Sequence, residues 1–212
     1  WTPVNNGLTV TDINALAGNS TSLFAATGTG GFCSPDNGEN WAAATNGLTA
    51  TDVTGLAVSG ETLFATTVAC DSERCTNQVF RSTDNGANWT ALTAGGTRAI
   101  YVMGAGATSV FLLTANGHVY RSADNGADWT AAEDVPLPGT ILWSGTSLFL
   151  GCAIVGMYRS TDDGVNWTPF NDGFPPGLID IRAMAVSGTN LFVATWQATS
   201  YGERVQFWRR SL

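Results

Sequence analysis

One octet occurs four times along this chain and limits the folds that are open to it. Its pattern is S-x-D-x-G-x-x-W, and the four copies are SPDNGENW (34–41), STDNGANW (82–89), SADNGADW (122–129) and STDDGVNW (160–167). Because the chain also starts with tryptophan, repeats begin near residues 1, 41, 89, 129 and 167, at intervals of 40, 48, 40 and 38 residues. A repeat of this length is one small unit that buries its apolar surface only by stacking on its neighbours.

Each repeat contains four short apolar runs separated by Gly, Asn, Asp and Ser, which is the pattern of short strands joined by turns. The second run, for example, reads SLFAAT, TLFATT, SVFLLT, SLFLGC and NLFVAT in successive repeats. No segment keeps a helical period. The sequence therefore predicts an all-β fold: a five-bladed β-propeller of four-stranded antiparallel blades, forming a single domain over residues 1–212.

The two ends of the chain fall inside one predicted blade. The chain begins with the tryptophan that follows an octet and stops at Arg-Ser-Leu (210–212), where Ser211 is expected to open a fifth octet. The strand Trp1–Val4 can therefore complete the sheet made by residues 180–212, which closes the ring and removes its open edges. The alternative is that Trp1–Val4 adds to a sheet edge of a neighbouring molecule. Closure within one chain is favoured, because a strand of the same chain has the higher effective concentration.

The octet itself has the composition of a tight turn. Its aspartate can accept backbone N–H bonds, its glycine supplies a conformation closed to other residues, and its tryptophan can pack between neighbouring sheets. The octets resemble the Asp-box, or bacterial neuraminidase repeat, found in sialidases, xyloglucanases, sortilin-type receptors and photosystem-assembly-factor-like propellers. That resemblance implies a propeller in which the octet aspartates are structural and lie away from any active site. These are Asp36, Asp84, Asp124 and Asp162.

Sialidase activity is not expected, although the repeat occurs in sialidases. By the same resemblance, that chemistry needs three arginines at the mouth of the central channel, with a tyrosine nucleophile and a glutamate. Here Arg81, Arg121 and Arg159 belong to third strands, which face away from the mouth. The one histidine, His118, has no predicted catalytic partners, and a histidine-rich metal site is excluded, so we expect no metal, no cofactor and no catalysis.

Composition excludes some classes of partner. The chain has nine arginines, no lysine and a formal net charge of −8, so nothing in it forms a basic patch for nucleic acid. No apolar run is long enough to span a membrane. The chain shows no signal peptide and starts with Trp rather than Met, and we expect it to be processed or a fragment.

Two cysteines indicate an oxidising compartment. Cys70 and Cys75 frame the hexapeptide CDSERC in the longest insertion of the second repeat, where a local disulfide is favoured over zinc because four ligands are not at hand. Three Asn-x-Ser/Thr sequons, at Asn19, Asn88 and Asn166, are possible glycosylation sites and agree with an extracellular or cell-surface location.

The other two cysteines, Cys33 and Cys152, leave two interpretations open. Cys33 immediately precedes the first octet, whereas Cys152 ends a second strand and should lie near the opposite face of the ring. One interpretation is that both are small buried residues. The other is a disulfide from Cys33 of one molecule to Cys152 of the next, which joins unlike faces and so builds a filament.

Two groups of residues are candidate ligand sites at the channel mouth. Asp12, Asp52 and Asp180 recur at the head of three first strands, where they are either turn residues or a ring of carboxylates. The second loop of the fifth repeat, WQATSYGER (196–204), brings Trp196, Tyr201, Glu203 and Arg204 to the same face. Aromatic side chains beside polar groups can stack on sugars, so this loop is the best candidate for a glycan site.

From these features we expect a non-catalytic extracellular protein that assembles face to face with itself, into a filament or a surface layer. A lectin-like glycan-binding module is the alternative, and a glycoside hydrolase using the three aspartates is a more distant one. The predicted partners are therefore other copies of the chain and, for the lectin hypothesis, glycans.

Overall fold

In the computed structural model nearly every regular element is a β-strand, and the strands follow the repeat. The structure describes residues 1–10, 12–72, 75–93, 100–105, 108–114, 117–131, 135–136, 138–175, 177, 179–199 and 202–212, with the backbone alone described at 101–103, 198–199 and 202–204. Short apolar runs bounded by turn residues become strands because their β-branched and aromatic side chains fit a pleated surface.

Within the described residues, nineteen strands form five antiparallel sheets, which we call blades 1 to 5. Blade 1 contains β1 (Ile13–Gly18), β2 (Leu23–Thr27), β3 (Gly30–Ser34) and β4 (Ala42–Ala43). Blade 2 contains β5 (Asp52–Ser59), β6 (Thr62–Cys70), β7 (Cys75–Ser82) and β8 (Thr90–Leu92). Blade 3 contains β9 (Ile100–Ala105), β10 (Val110–Thr114), β11 (Val119–Ser122) and β12 (Thr130–Ala131). Blade 4 contains β13 (Pro138–Ser144), β14 (Ser147–Cys152), β15 (Gly156–Ser160) and β16 (Thr168–Pro169). Blade 5 contains β17 (Asp180–Ser187), β18 (Asn190–Thr199) and β19 (Gly202–Ser211).

Each blade has two apolar faces, and the core lies between successive blades. We call the face that meets the following blade the forward face and the other one the rear face. The forward face of blade 2 carries Ala57, Phe64 and Val79, which pack against the rear face of blade 3 at Val110 and Leu112. Alternate residues of one strand serve opposite faces because successive side chains of a strand point to opposite sides. This is why the second run of each repeat is mostly apolar and does not alternate with polar residues.

The predicted closure of the ring by the N-terminal strand is not shown. Blade 5 has three strands among the described residues, and Trp1–Val4 is not a strand. Residues 1–10 lie instead beside blade 1, where the indole Nε1 of Trp41 donates to the carbonyl oxygen of Val4 at 2.9 Å. Blades 1 and 5 also leave apolar side chains exposed on their outer faces, which a closed ring would bury.

The strand register corrects one alignment made from the sequence. In blades 1 to 4 the octet serine pairs with the second residue of the second apolar run, as Ser82 pairs with Leu63. In blade 5 that partner, Leu191, pairs with Arg210, and Ser211 pairs with Asn190. Arg210 therefore occupies the place of the octet serine, and Ser211 does not open a fifth octet of the same register.

Candidate interaction site at the ends of the blade array

The four octets form the same hydrogen-bonded turn. The hydroxyl of Ser34 donates to Asp36 at 2.7 Å and accepts the backbone N–H of Gly38 at 2.8 Å, and Asp36 also accepts the backbone N–H of Asn40 at 2.9 Å. The residue before each octet glycine has a positive φ of 55–59°, and the glycine a positive φ of 80–90°. Asn and Asp tolerate the first conformation and Gly the second, which is why these residue types recur there.

These contacts stabilise the charged carboxylates of the octets. The pKa of Asp36 and that of Asp84 are lowered, first by a hydrogen bond from the side-chain amide four residues further along the turn, which belongs to Asn40 and Asn88 respectively. The backbone N–H of Asn166 is the largest cause at Asp162 and lowers its pKa to about 2. At Asp124 the backbone N–H of Asp128 is the largest cause of the lowered pKa, because an aspartate stands there in place of the asparagine.

The first two octets are tied to the preceding part of the repeat by their tryptophans, whereas the buried indole N–H groups of Trp129 and Trp167 have no partner among the described atoms. Trp89 donates its indole N–H to the carbonyl of Ala44 at 2.9 Å and its backbone N–H to the carbonyl of Asn46 at 2.8 Å. Trp41 makes the same pair of bonds to Val4 and Asn6. Residues 1–10 therefore occupy the position relative to blade 1 that the last strand and linker of a blade occupy relative to the following blade.

A phenylalanine and an octet glycine meet at three of the blade junctions. A β-carbon at Gly86 would touch the ring of Phe24, one at Gly126 the ring of Phe64, and one at Gly164 the ring of Phe111. The same repeat position holds Phe149 and Phe192 in blades 4 and 5. Four of these five rings are buried, whereas Phe192 is 41% exposed.

The forward face of blade 5 is consequently an open apolar surface. Its residues Ala185, Phe192 and Phe207 correspond to the buried Ala57, Phe64 and Val79 of blade 2, because the cross-strand pairs match one for one. Phe207 is 83% exposed. We call this surface, made by Ala185, Phe192, Val205 and Phe207, the forward end face.

The rear face of blade 1 is open in part. Leu16 is 69% and Leu23 is 38% exposed, while the buried Ala25 and Phe32 are covered by Trp41 together with Leu8 and Val10. At blades 2 to 5 the residue corresponding to Leu23 is buried. We call this surface, made by Leu16 and Leu23, the rear end face. The two end faces are the two halves of the contact that joins successive blades.

The predicted carboxylate ring is not assembled into an ion site. No group of three His, Cys, Asp or Glu residues able to hold a metal occurs in the part of the chain that the structure describes, Asp12, Asp52 and Asp180 included. Asp52 accepts a hydrogen bond from the amide of Asn14 at 3.3 Å, and Asp180 pairs with the guanidinium of Arg182 at 2.7 Å. These contacts are those of residues that fix the starts of strands.

The predicted 196–204 loop is for the most part a hairpin. Trp196 pairs with Val205 and Gln197 with Arg204 in the sheet, so the prediction of a loop was wrong at both of its ends. Tyr201 lies outside the described residues, and for Glu203 and Arg204 only the backbone is described. Trp196 is half-buried, and the guanidinium of Arg182 stacks 5.3 Å from its ring centre. Sequence reasoning missed Arg182, whose strand position gave no signal of this contact.

The cysteines divide into one bonded pair and two thiols. The predicted Cys70–Cys75 disulfide is confirmed, and it joins cross-strand partners at the tip of the β6–β7 hairpin. Cys152 is 0% exposed among the side chains between blades 3 and 4, and burial raises its pKa to about 12. Cys33 is half-buried, and its pKa is also raised, chiefly by burial. A disulfide from Cys33 to Cys152 of another molecule is therefore contradicted, because the sulfur of Cys152 lies inside the core.

The sequon asparagines make contacts of their own. The side-chain amides of Asn88 and Asn166 donate to the octet carboxylates of Asp84 and Asp162, at 2.8 and 2.7 Å. The carbonyl oxygen of the Asn19 side chain accepts the backbone N–H of Ser22 at 2.9 Å. Glycosylation at these positions stays a prediction. Within the described ranges, no helix is both long enough and apolar enough to cross a membrane.

Comparison with known proteins gives the family and the fold. The model of one protein family, described as the DUF6242 β-propeller domain, matches residues 4–142. No curated protein sequence matches the chain.

Solved structures with a similar fold include YCF48 bound to a D1 peptide, with a TM-score of 0.60 and 14% identity over 95% of this chain and 70% of that one. The GH74 enzyme of Niastella koreensis has a TM-score of 0.65 and 20% identity over 92% of this chain. The computationally designed Ika8 protein has a TM-score of 0.66 and 11% identity over 94% of this chain. The chain spans only 28% of the GH74 enzyme and 59% of Ika8.

Proposed function

Because this chain belongs to the family of DUF6242 β-propeller domains, and its end faces are the two halves of a blade junction, we propose that it is a non-catalytic assembly domain. In this proposal, copies join end to end, the forward end face of one against the rear end face of the next. The observation that carries it is the exposure of Phe192, the one member of a fivefold repeated phenylalanine that is not buried. The contact joins unlike surfaces, so it builds either a closed ring of copies or a filament.

The existing blade junctions support the fit of such a contact. Phe192 of one copy would meet Gly38 of the next as Phe64 meets Gly126 within the chain. Arg209 stands at the repeat position of Arg81, whose guanidinium donates to the backbone carbonyl of Asn125 in the next octet at 3.2 Å. It would reach the carbonyl of Asn37 in the same way. Contiguous exposed apolar surface of this kind marks interaction sites in proteins.

The assembly proposal replaces the disulfide-linked filament expected from the sequence. Association through the end faces needs no sulfur chemistry, so it is independent of the burial of Cys152. We further propose that the octets are Asp-boxes with a purely structural role, and that the protein acts outside the cell or on its surface. The Cys70–Cys75 disulfide supports that location, because such bonds persist in oxidising compartments.

The test is the mass of the protein in solution over a wide range of concentration, by light scattering after size exclusion. The expected result is association from the 22.2 kDa monomer into multiples of that mass. Phe207→Asp places a charge on the forward end face and should hold the protein as a monomer with an unchanged circular dichroism spectrum. Val165→Asp, at an exposed apolar residue of the fourth octet, is the matched control and should leave association intact. A single 22.2 kDa species at every concentration would contradict the proposal.

Glycan binding remains a second candidate on one observation, the cluster of Trp196, Arg182 and Asp180 on one strand pair. A half-buried indole beside an ion pair offers a stacking surface and polar groups to a sugar. A glycan array with Trp196→Ala as control tests it, and equal signals from both proteins would reject this cluster as the site.

A further inference from the structure

A cavity of about 270 Å³ lies at the junction of blades 4 and 5. Its place in blade 5 corresponds to the place that the octet tryptophan Trp41 fills in blade 1. Phe170, Phe174, Val193 and Trp208 line it. The corresponding residues around Trp41 are Val4, Leu8, Ala25 and Phe32, by repeat position and strand register. Leu8, Ala25 and Phe32 pack with Trp41 in a single apolar cluster. The cavity is therefore lined by residues at the same repeat positions as those that surround Trp41.

The hydrogen-bond acceptors of a tryptophan site are present at the cavity as well. Trp41 donates to the carbonyls of Val4 and Asn6, and Trp89 donates to those of Ala44 and Asn46. The repeat places the carbonyls of Phe170 and Asp172 at the equivalent positions. The carbonyl of Asp172 accepts an N–H of Arg210 at 3.2 Å. A carbonyl oxygen has two lone pairs, so it can accept a second N–H from an incoming tryptophan.

A glycine at the cavity has the geometry that an incoming tryptophan requires. A β-carbon at Gly7 or Gly47 would collide with the carbonyl oxygen of Trp41 or Trp89. Gly173 holds the same repeat position with a φ of 95°, close to the 89° and 93° of Gly7 and Gly47. Around Gly173, however, nothing lies within 4 Å of the place of a β-carbon. The backbone thus has the shape of a filled site while the space beside it is open.

Strand β19 offers an edge to which a short strand can add. In blades 1 to 4 the third strand pairs with a fourth, and the residue after the octet tryptophan faces the residue before the octet serine, as Thr90 faces Arg81. In the part of the chain that the structure describes, no fourth strand pairs with β19 in blade 5. The same register would place Thr2 opposite Arg209 and Pro3 opposite Trp208, the latter as Pro169 stands opposite Tyr158. Trp1, which precedes this segment, is fully exposed.

We infer that this cavity is a tryptophan-binding site and that it takes Trp1 from a second copy of the chain, whose residues 1–4 become the fourth strand of blade 5. The inference rests on the proposed end-to-end assembly and specifies its linkage. The contact between the end faces and the insertion of Trp1 occur in the same arrangement, because Val4 and Asn6, which follow Trp1, bind Trp41 of their own blade 1. A copy that inserts Trp1 into blade 5 of its neighbour therefore brings its own rear end face onto the neighbour's forward end face.

Cross-linking tests the strand register and the identity of the donor. Cross-strand partners lie within the span of a disulfide, so Thr2→Cys with Arg209→Cys should form covalent multiples of the chain on a non-reducing gel. Thr2→Cys with Gln206→Cys is the control, because position 206 is three residues away on the other side of the strand. A disulfide confined to the monomer would mean that the strand belongs to the same chain. That result, or the absence of a bond, would overturn the inference.

A second pair of variants tests the cavity itself. Gly173→Asn puts a side chain where the carbonyl of the incoming tryptophan must lie, in open space of the free chain. It should weaken association about 30-fold or more, the loss expected for a buried tryptophan anchor. Gly145→Asn is the matched control, since Gly145 also has a positive φ and nothing within 4 Å. Association unchanged by Gly173→Asn would overturn the site.

Mixing two variants separates this inference from the assembly proposal. Trp1→Ala lacks the donor and Gly173→Asn lacks the acceptor. At a concentration only a few-fold above the one at which the unmodified chain associates, each variant should be monomeric alone, and the mixture should form heterodimers and no larger species. If the unmodified chain associates and Phe207→Asp prevents it, but neither Trp1→Ala nor Gly173→Asn has an effect, the assembly function stands and the tryptophan link falls. If the unmodified chain never associates, both fall.

Discussion

The repeated phenylalanine provides a matched pair of substitutions whose outcomes should differ. Phe64 and Phe192 occupy the same place in the repeat, but Phe64 is 0% exposed and Phe192 is 41% exposed. Phe64→Ala removes a ring from a closed junction and leaves a cavity, so it should lower the free energy of unfolding by about 3–5 kcal/mol. Phe192→Ala removes a ring that water already reaches, with no enclosed cavity, and should cost about 1–2 kcal/mol.

Guanidinium unfolding followed by fluorescence would measure both values, at a protein concentration where light scattering gives the monomer mass. The midpoint should fall further for Phe64→Ala, while the slope with denaturant stays the same for both variants, because each exposes a similar surface on unfolding. An equal loss of stability in the two variants would refute the reasoning. It would mean that Phe192 is buried within one chain, as in a closed ring.

Three other predictions concern the octets and the thiols. The pKa of Asp162 is lowered to about 2 from 3.8, so its contribution to stability is complete above about pH 4 and is lost as pH falls toward 2. Melting temperatures measured by thermal unfolding should fall over this range, and Asp162→Asn should reduce their dependence on pH. Asp128→Asn supplies the amide that the other octets have, so it should lower the pKa of Asp124 further in an NMR titration and raise the melting temperature. An unchanged pKa of Asp124 would count against the side-chain amide as a cause of the lowered pKa in the other octets. An alkylating reagent should label Cys33 slowly in the native protein and Cys152 only after unfolding, as mass spectrometry would detect; native labelling of Cys152 would contradict its burial.

The sequence predicted what is repeated and local. The octet turn depends on contacts within eight residues, and its Ser, Asp and Gly each have a bond or a backbone conformation that few other residues supply. The strand bounds followed from the same punctuation by turn residues. The disulfide was equally local, since Cys70 and Cys75 are five residues apart and flank one hairpin.

The predictions that failed were those for which the local pattern is ambiguous. The segment 196–204 reads as a loop because it is polar, but its backbone groups pair across a hairpin, and pairing does not depend on apolar side chains. Ser211 looked like an octet serine because it follows an arginine, whereas the register assigns that place to Arg210. For Cys152 the sequence left two interpretations open, and burial holds because of a neighbouring blade that the sequence of its own strand does not identify.

The sequence by itself determined the number of blades, their strands and the turn that ends each third strand, because a repeat imposes the same short-range contacts every time it occurs. Only the tertiary structure decided which apolar residues are covered. Phe64 and Phe192 hold the same repeat position, and they differ because blade 3 packs on the ring of Phe64 and no described blade packs on the ring of Phe192. Burial depends on what lies across a face, and the position of the next blade is a property of the whole array.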